Sequence, residues 1–191
     1  MKKKVQLIGI VLFGLIISSF AGSMYVGVAG GASFLSDSDL SGDETGSLSY
    51  DTGYSIEGVV GYAFETSWRA ELALNWQENS FEDAPSKYGM SVFSVMANGY
   101  YDFKAGAGFT PYVFAGLGFL NGELSFDEDY DDTVFAGQLG FGVGYAITEH
   151  VIFDLKYKYF MSQDLEITGE GEKVDVSLDG SQILFGVRYQ F

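Results

Sequence analysis

Trp68-Arg69-Ala70-Glu71-Leu72-Ala73-Leu74-Asn75-Trp76-Gln77 alternates residue by residue. Trp68, Ala70, Leu72, Leu74 and Trp76 form one face, and Arg69, Glu71, Ala73, Asn75 and Gln77 form the other. Successive side chains of a β-strand point to opposite sides, so this period predicts a strand with one apolar face. Val151 to Met161 repeats the pattern: Val151, Phe153, Leu155, Tyr157, Tyr159 and Met161 lie opposite Ile152, Asp154, Lys156, Lys158 and Phe160. Outward from these two stretches, eight such runs cover about 24–35, 53–64, 67–78, 90–103, 109–120, 133–147, 150–161 and 180–191. Helical spacing is not evident anywhere after residue 24.

The connections set the topology. Long polar segments at about 36–52, 79–89, 121–132 and 162–179 alternate with short turns at Glu65-Thr66, Lys104–Gly108 and Thr148-Glu149. Pro85 falls in a long segment and Pro111 near a strand start, where a missing N–H is tolerated. Long and short connections therefore gather at opposite ends of an up-and-down meander. An even number of strands near ten residues, arranged this way, predicts an all-β, eight-stranded antiparallel transmembrane β-barrel. Closure also removes the open edges that invite aggregation.

A soluble eight-stranded barrel such as a lipocalin would turn its apolar face inward. Here that face is too large and too aromatic to fit inside so small a barrel. Tyr62, Phe64, Trp68, Tyr101, Phe103, Tyr145, Tyr189 and Phe191 would ring the turn end, and Phe34, Trp76, Phe93, Phe119 and Phe135 the loop end. Two aromatic girdles around Val, Leu, Ile and Ala suit the two lipid interfaces. The other face is small, with Gly27, Ala29, Gly31, Gly140, Gly142 and Gly144. Eight strands leave a lumen just wide enough for side chains to fill it, so glycine there makes room for bulkier neighbours.

Inward-facing charges balance: Arg69, Lys156, Lys158 and Arg188 against Glu57, Glu71, Asp102 and Asp154. Counting from the turn ends, Arg69, Asp102, Asp154 and Arg188 lie low, Glu71 and Lys156 at mid-height, and Glu57 and Lys158 higher. A narrow interior requires such neutrality, because desolvated charges persist only when paired. The network reads as a structural plug, with a gated ion path as the alternative.

Composition narrows the function. The chain has 191 residues with 10 Lys+Arg against 26 Asp+Glu, a net charge of −16 and no cysteine. That balance excludes a nucleic-acid partner, since phosphate recognition rests on Lys and Arg. Without cysteine there is no disulfide framework, thiolate metal site or lipoprotein anchor. Residues 1–23 read as a cleavable secretory signal peptide: Lys2, Lys3 and Lys4, an apolar Val5–Ile17, then small residues with cleavage after Ala21 or Ser23. The apolar run is short of the ~20 residues that span a bilayer. Loss of those lysines leaves 7 basic and 26 acidic residues, a net of −19. The four long segments and their margins hold 20 of the acids, opposed only by Lys87 and Lys173, so the barrel is expected to carry an acidic crown.

Several stretches resemble the small eight-stranded outer-membrane proteins of Gram-negative bacteria, the opacity-protein and surface-antigen family related to the OmpA membrane domain. They are Met24-Tyr25-Val26-Gly27-Val28-Ala29-Gly30-Gly31, Thr110-Pro111-Tyr112-Val113-Phe114-Ala115-Gly116-Leu117-Gly118, Gly140-Phe141-Gly142-Val143-Gly144-Tyr145 and Leu184-Phe185-Gly186-Val187-Arg188-Tyr189-Gln190-Phe191. Phe114 departs from it, an inward phenylalanine where such motifs often carry glycine. The resemblance implies adhesion or antigenic roles, periplasmic termini, and contact with outer-membrane lipid. It also implies that Phe185, Val187, Tyr189 and Phe191 form the signal read by the barrel-assembly machinery.

Some small barrels of this kind are lipid-modifying enzymes or proteases, which would require a histidine paired with serine or aspartate. His150 is the only histidine, beside Glu149 in an expected solvated turn, and no GxSxG, Walker loop or HExxH occurs. No catalytic residue, cofactor or metal site is expected. Asp127-Glu128-Asp129-Tyr130-Asp131-Asp132 offers oxygens to a hard divalent cation such as calcium but lacks the turn glycine and closing glutamate of an EF-hand. It reads as a solvated charged loop. The resulting expectation is a non-enzymatic scaffold displaying acidic loops for envelope integrity, adhesion or contact with host or environmental ligands, divalent cations included. The alternative is a small channel or passive transporter through the lumen, and a lipid-modifying enzyme comes third.

Overall fold

The computed structural model describes residues 22–36, 38–40, 46–48, 51–80, 89–103, 105–106, 108–125, 129–162, 165–169, 172–176 and 179–191. Among the described residues twelve strands follow in chain order: β1 (Gly22–Leu35), β2 (Ser38–Leu40), β3 (Gly46–Leu48), β4 (Gly53–Phe64), β5 (Trp68–Ser80), β6 (Gly89–Asp102), β7 (Phe109–Ser125), β8 (Asp129–Ala146), β9 (Val151–Ser162), β10 (Leu165–Gly169), β11 (Glu172–Val176) and β12 (Gly180–Gln190). Eight of them close into one antiparallel barrel in the order β1-β12-β9-β8-β7-β6-β5-β4. Each barrel strand pairs with its sequence neighbour in the barrel, and β1 closes on β12 from Tyr25↔Gln190 to Leu35↔Gly180.

Alternation and turn chemistry explain these elements. At the short end, the Ile147 N–H donates to the Val151 carbonyl at 2.9 Å and closes the β8–β9 turn. Gly106 and Gly108 adopt positive φ angles of 81° and 80° in the β6–β7 turn, a conformation that glycine reaches without a Cβ penalty. The loop end differs from the sequence expectation. Segments 36–52 and 162–179 hold two-stranded sheets, β2–β3 and β10–β11. Segment 121–132 is mostly ladder, since β7 and β8 stay paired up to Ser125↔Asp129. Alternation fades there under the run of acids, although the backbone continues. Of the expected signal peptide, residues 1–21 lie outside the described residues, as do Lys87 and Pro85.

The apolar face is the outer one. Val28, Leu117, Phe141 and Phe185 are each about 60% exposed on the barrel wall. Both aromatic rings are present on that surface: Trp68, Tyr101, Phe103, Tyr145, Tyr189 and Phe191 at the turn end, and Phe34, Trp76, Phe93, Phe119 and Phe135 at the loop end. Tyr62 shares that outward parity, paired with Met24, but is only 5% exposed, its ring set edge-on to Phe64 at 5.1 Å. From Phe109 to Phe119 the strand runs about 34 Å, and a tilt near 40° reduces this to about 26 Å of height, matching an outer-membrane apolar band of about 25 Å.

Small inner residues make room as expected. A Cβ on Gly140 would lie 2.6 Å from the Phe114 ring, and one on Gly142 would lie 2.6 Å from the Tyr112 ring. The inner face is nonetheless bulkier than its glycines suggest, because Leu35, Met90, Val92, Leu120, Ala136 and Phe160 form a buried cluster inside the barrel.

Candidate functional site

The charged side chains of the lumen come from five strands: β4 supplies Glu57, β5 Arg69 and Glu71, β6 Asp102, β9 Asp154, Lys156 and Lys158, and β12 Arg188. At the turn end Arg69 grips Asp102 with two parallel bonds, Nε to Oδ2 at 2.7 Å and Nη2 to Oδ1 at 2.9 Å. Arg188 pairs with Asp154 in the same forked manner. Such bidentate pairs fix geometry as well as charge. The Arg69 guanidinium also lies 4.3 Å from the Tyr100 ring centre and 5.0 Å from that of Tyr112, and Arg188 sits over Tyr25 at 5.3 Å.

Above these pairs the arrangement departs from the layers counted along the sequence. Glu57, 1% exposed, takes both lysines: Lys156 Nζ at 2.5 Å on Oε1 and Lys158 Nζ at 2.7 Å on Oε2. Glu71 is held instead by two phenols, with Tyr25 donating to Oε2 at 2.9 Å and Tyr100 to Oε1 at 2.5 Å. Lys156 Nζ also approaches the Tyr100 hydroxyl at 3.5 Å, linking the two carboxylates. Glu57 shares a ladder row with Asp154 through Ala29 and Gly186, yet binds the lysines farther along β9. Strand tilt causes this shift, and counting along the sequence does not register it.

Tyr25, Tyr100 and Tyr112 were missed as members of this network. Tyr25 shares inward parity with Gly27, and Tyr100 with Asp102, so the signal was present on the strands already read. The space left among Glu57, Arg69, Glu71, Tyr100, Lys156 and Arg188 is about 20 Å³, enough for about one water.

Toward the loop end the lumen divides in two. On the β1, β4, β5 and β12 side, Asn75 Nδ2 donates to Ser55 Oγ at 2.7 Å, Ser55 Oγ to Gln182 Oε1 at 3.1 Å, and Gln182 also bonds Gln77. Ser33 donates to Asn79 Oδ1 at 3.1 Å. The β6–β9 side is the apolar cluster around Met90 and Phe160. Phe114, inward as read from the sequence, stacks on Tyr100 with centres 4.7 Å apart.

The remaining sequence candidates lie outside the lumen. His150 is exposed in the β8–β9 turn, its ring N–H bonding the Gln190 carbonyl at 2.9 Å and its face stacked on Tyr189. Of the acidic cluster, 127–128 lie outside the described residues, while Asp129 to Asp132 are strand paired with β7 rather than loop. Ladder geometry does not wrap oxygens around a cation as a calcium loop does. Among the described residues no group of three or more metal-ligating side chains converges. Phe185, Val187 and Tyr189 lie on the outer face of β12, with Phe191 just after it.

A family model described as the outer membrane protein beta-barrel domain matches residues 10–191. Outer membrane protein PagN of Salmonella typhimurium is 28% identical over 124 residues, a match covering 55% of this chain and about half, 52%, of that protein. Neisserial surface protein A has a similar solved structure, with a TM-score of 0.63 at 24% identity over 88% of this chain and 97% of that one. Ail, the attachment invasion locus protein of Yersinia pestis, solved with the heparin analogue sucrose octasulfate, gives a TM-score of 0.56 at 15% identity over 90% of this chain and 100% of that one.

Proposed function

The chain belongs to the outer-membrane β-barrel protein family and is an integral outer-membrane protein, and from that premise we propose that it is a non-enzymatic surface protein whose barrel anchors an acidic extracellular end for adhesion or ligand contact. The observation that carries this reading is the filled lumen, where about 20 Å³ is left free among the charged side chains. Interior charges engaged in pairs have little capacity for chemistry, whereas binding residues concentrate on loops held by a rigid scaffold. In this reading the termini face the periplasm, Phe185, Val187, Tyr189 and Phe191 are read by the barrel-assembly machinery, and lipid contacts the outer wall. A signal peptide cleaved after Ala21 would preserve the Gly22↔Phe64 pair at the start of β1.

The ligand differs in kind from the heparin analogue seen with Ail. With 20 acids opposed by Lys87 and Lys173 at the loop end, a polysulfate would be repelled. Basic surfaces, or anionic ones bridged by divalent cations, fit. Whole cells carrying deletions in each loop test the proposal by their attachment to host and abiotic surfaces. At least one deletion is expected to abolish attachment while the protein keeps the gel shift on boiling that marks a folded barrel. Equal attachment by every deletion strain and by cells lacking the protein would sink it.

The channel reading is favoured by one observation, the concentration of eight charges in the lumen. Planar-bilayer recordings discriminate. Electrical silence is expected, and discrete openings lost on Lys156→Met would establish conduction instead.

A further inference from the structure

The strands that close the barrel leave a groove on its outer wall. Gly30 of β1 lies level with Ile56 of β4 and Phe185 of β12, so a position without a side chain falls between two large ones. Ile56 and Phe185 are both more than half exposed. The Phe185 ring leans on Phe153 of β9 with centres 5.7 Å apart and raises that bank. Val28 stands out two residues before Gly30. The groove measures about 470 Å³ and is lined by apolar side chains and glycine. That volume is within the ~300–1,000 Å³ of small-molecule sites. A Cβ on Gly30 would meet only the Ser55 carbonyl oxygen, at 3.6 Å.

The wall is thin at this point. Val28, Ala29, Gly186 and Val187 line both the groove and the 20 Å³ space inside the barrel. A single ply of backbone therefore separates hydrocarbon from Glu57 and Lys156, and its inward positions are Ala29 and Gly186, paired across the seam. A void on the outer side of that ply would forfeit the dispersion contacts of its lining.

Height names the occupant. The rows Val28↔Val187 and Gly30↔Phe185 lie two and four residues beyond Val26↔Tyr189. At a strand tilt near 40° they stand about 5 and 10 Å above Tyr189. This is the turn-end half of an apolar band of about 25 Å, where the surrounding medium is hydrocarbon. A second barrel does not fit the shape. Association within hydrocarbon needs small residues that let backbones approach closely, and Val28, Ile56 and Phe185 would hold another wall off the Gly30 floor. A slender alkyl chain passes between them. Below the groove the exposed Tyr189, with His150 stacked on it, marks the level where amphipathic rings meet headgroups.

We propose that this groove across the β1–β12 seam binds one acyl chain of a phospholipid in the periplasmic leaflet. The choice of leaflet rests on the proposed surface role, in which the termini face the periplasm. The chain completes the wall that Gly30 leaves open and stays longer than the lipid around the rest of the barrel.

The test uses the full chain folded in lipid nanodiscs that contain a phosphatidylethanolamine with a diazirine halfway along one chain. After illumination, labelling should concentrate on Val28–Gly30 and Phe185–Val187, about tenfold above the equally exposed Leu117 and Phe141. Gly30→Leu fills the gap and should remove the excess. Gly99→Leu, at another outward glycine whose added Cβ meets nothing within 4 Å, should leave it unchanged. Ile56→Ala lowers one bank and should reduce it several-fold. Even labelling around the wall overturns the site, and an excess that survives both Gly30→Leu and Ile56→Ala overturns the groove. An excess given by diazirine-bearing lipid A but not by the phosphatidylethanolamine overturns the leaflet. Crosslinks between two copies at Gly30 would make a second barrel the occupant. Each of these results leaves cell attachment untouched. Attachment unaffected by any loop deletion overturns the surface role and leaves the labelling standing.

Discussion

The turn-end half of the lumen and its loop-end half are filled by different chemistry. Near the turns, Arg69, Asp102, Arg188 and Asp154 form forked ion pairs roofed by Tyr25, Tyr100 and Tyr112, and Lys156 and Lys158 balance Glu57 and Glu71 above them. Near the loops, an amide and hydroxyl cluster on one wall faces Met90, Val92, Leu120 and Phe160 on the other. The first filling depends on angles and partners, because each desolvated charge needs a specific opposite. The second depends mostly on volume. The same narrow cylinder is therefore closed by two mechanisms, and they should fail differently.

The largest effect is expected at Glu57. Its carboxylate is the shared partner of Lys156 and Lys158, so Glu57→Gln keeps the volume and leaves two buried ammonium groups without their counter-charge. Breaking a buried pair in this way costs about 3–5 kcal/mol. Urea unfolding in lipid vesicles, followed by the fluorescence of the wall residues Trp68 and Trp76, reads the loss directly. A second change, Lys158→Met, should restore part of it, because it removes one stranded charge. No loss in the single variant would mean that the ionic half is as tolerant as the apolar half.

Arg69→Lys should come next. The charge survives, but the two parallel bonds to Asp102 and the stacking over Tyr100 do not, and Arg and Lys are not interchangeable at such a site. Loss of a charge-assisted bond suggests about 1.5–3 kcal/mol, read in the same unfolding experiment. An unfolding midpoint equal to wild type would show that net charge alone holds the turn end.

The same contrast explains how much could be read in advance. Strand positions followed from alternation, and the run 53–64 coincides with β4 (Gly53–Phe64). The eight interior charges followed from parity, since polar residues on an otherwise apolar wall stand out at Arg69 or Lys156. Their partners followed only in part: counting set Glu57 level with Lys158 and the four turn-end charges together, as found. Parity gives the face of a strand but neither its position around the barrel nor its tilt, so the second lysine on Glu57, Lys156, and the two phenols on Glu71 were not read. The apolar cluster stayed hidden for a different reason. Along β6, inward Met90, Val92 and Met96 alternate with outward Phe93, Val95 and Ala97, and each face carries a single serine, Ser94 inside and Ser91 outside, so period two carries little contrast. At Asp129–Asp132 the reverse occurs, where consecutive acids erase alternation from a backbone that is still strand.

Met90→Leu should have the smallest effect, and it is the substitution that most sharpens the comparison. Met90 is buried against Val92, Leu120 and Phe160, and leucine replaces it at similar volume without a polar group to strand. Volume-conserving swaps of this kind cost less than about 1.5 kcal/mol. Arg69→Lys is an equally conservative change by charge and length, made in the other half of the same lumen. If the two halves close the barrel as their contacts imply, the lysine variant must lose clearly more stability than the leucine variant in the same vesicles. Equal losses would mean that packing density, rather than ion-pair geometry, governs both ends, and the distinction between the halves would then be one of composition without energetic consequence.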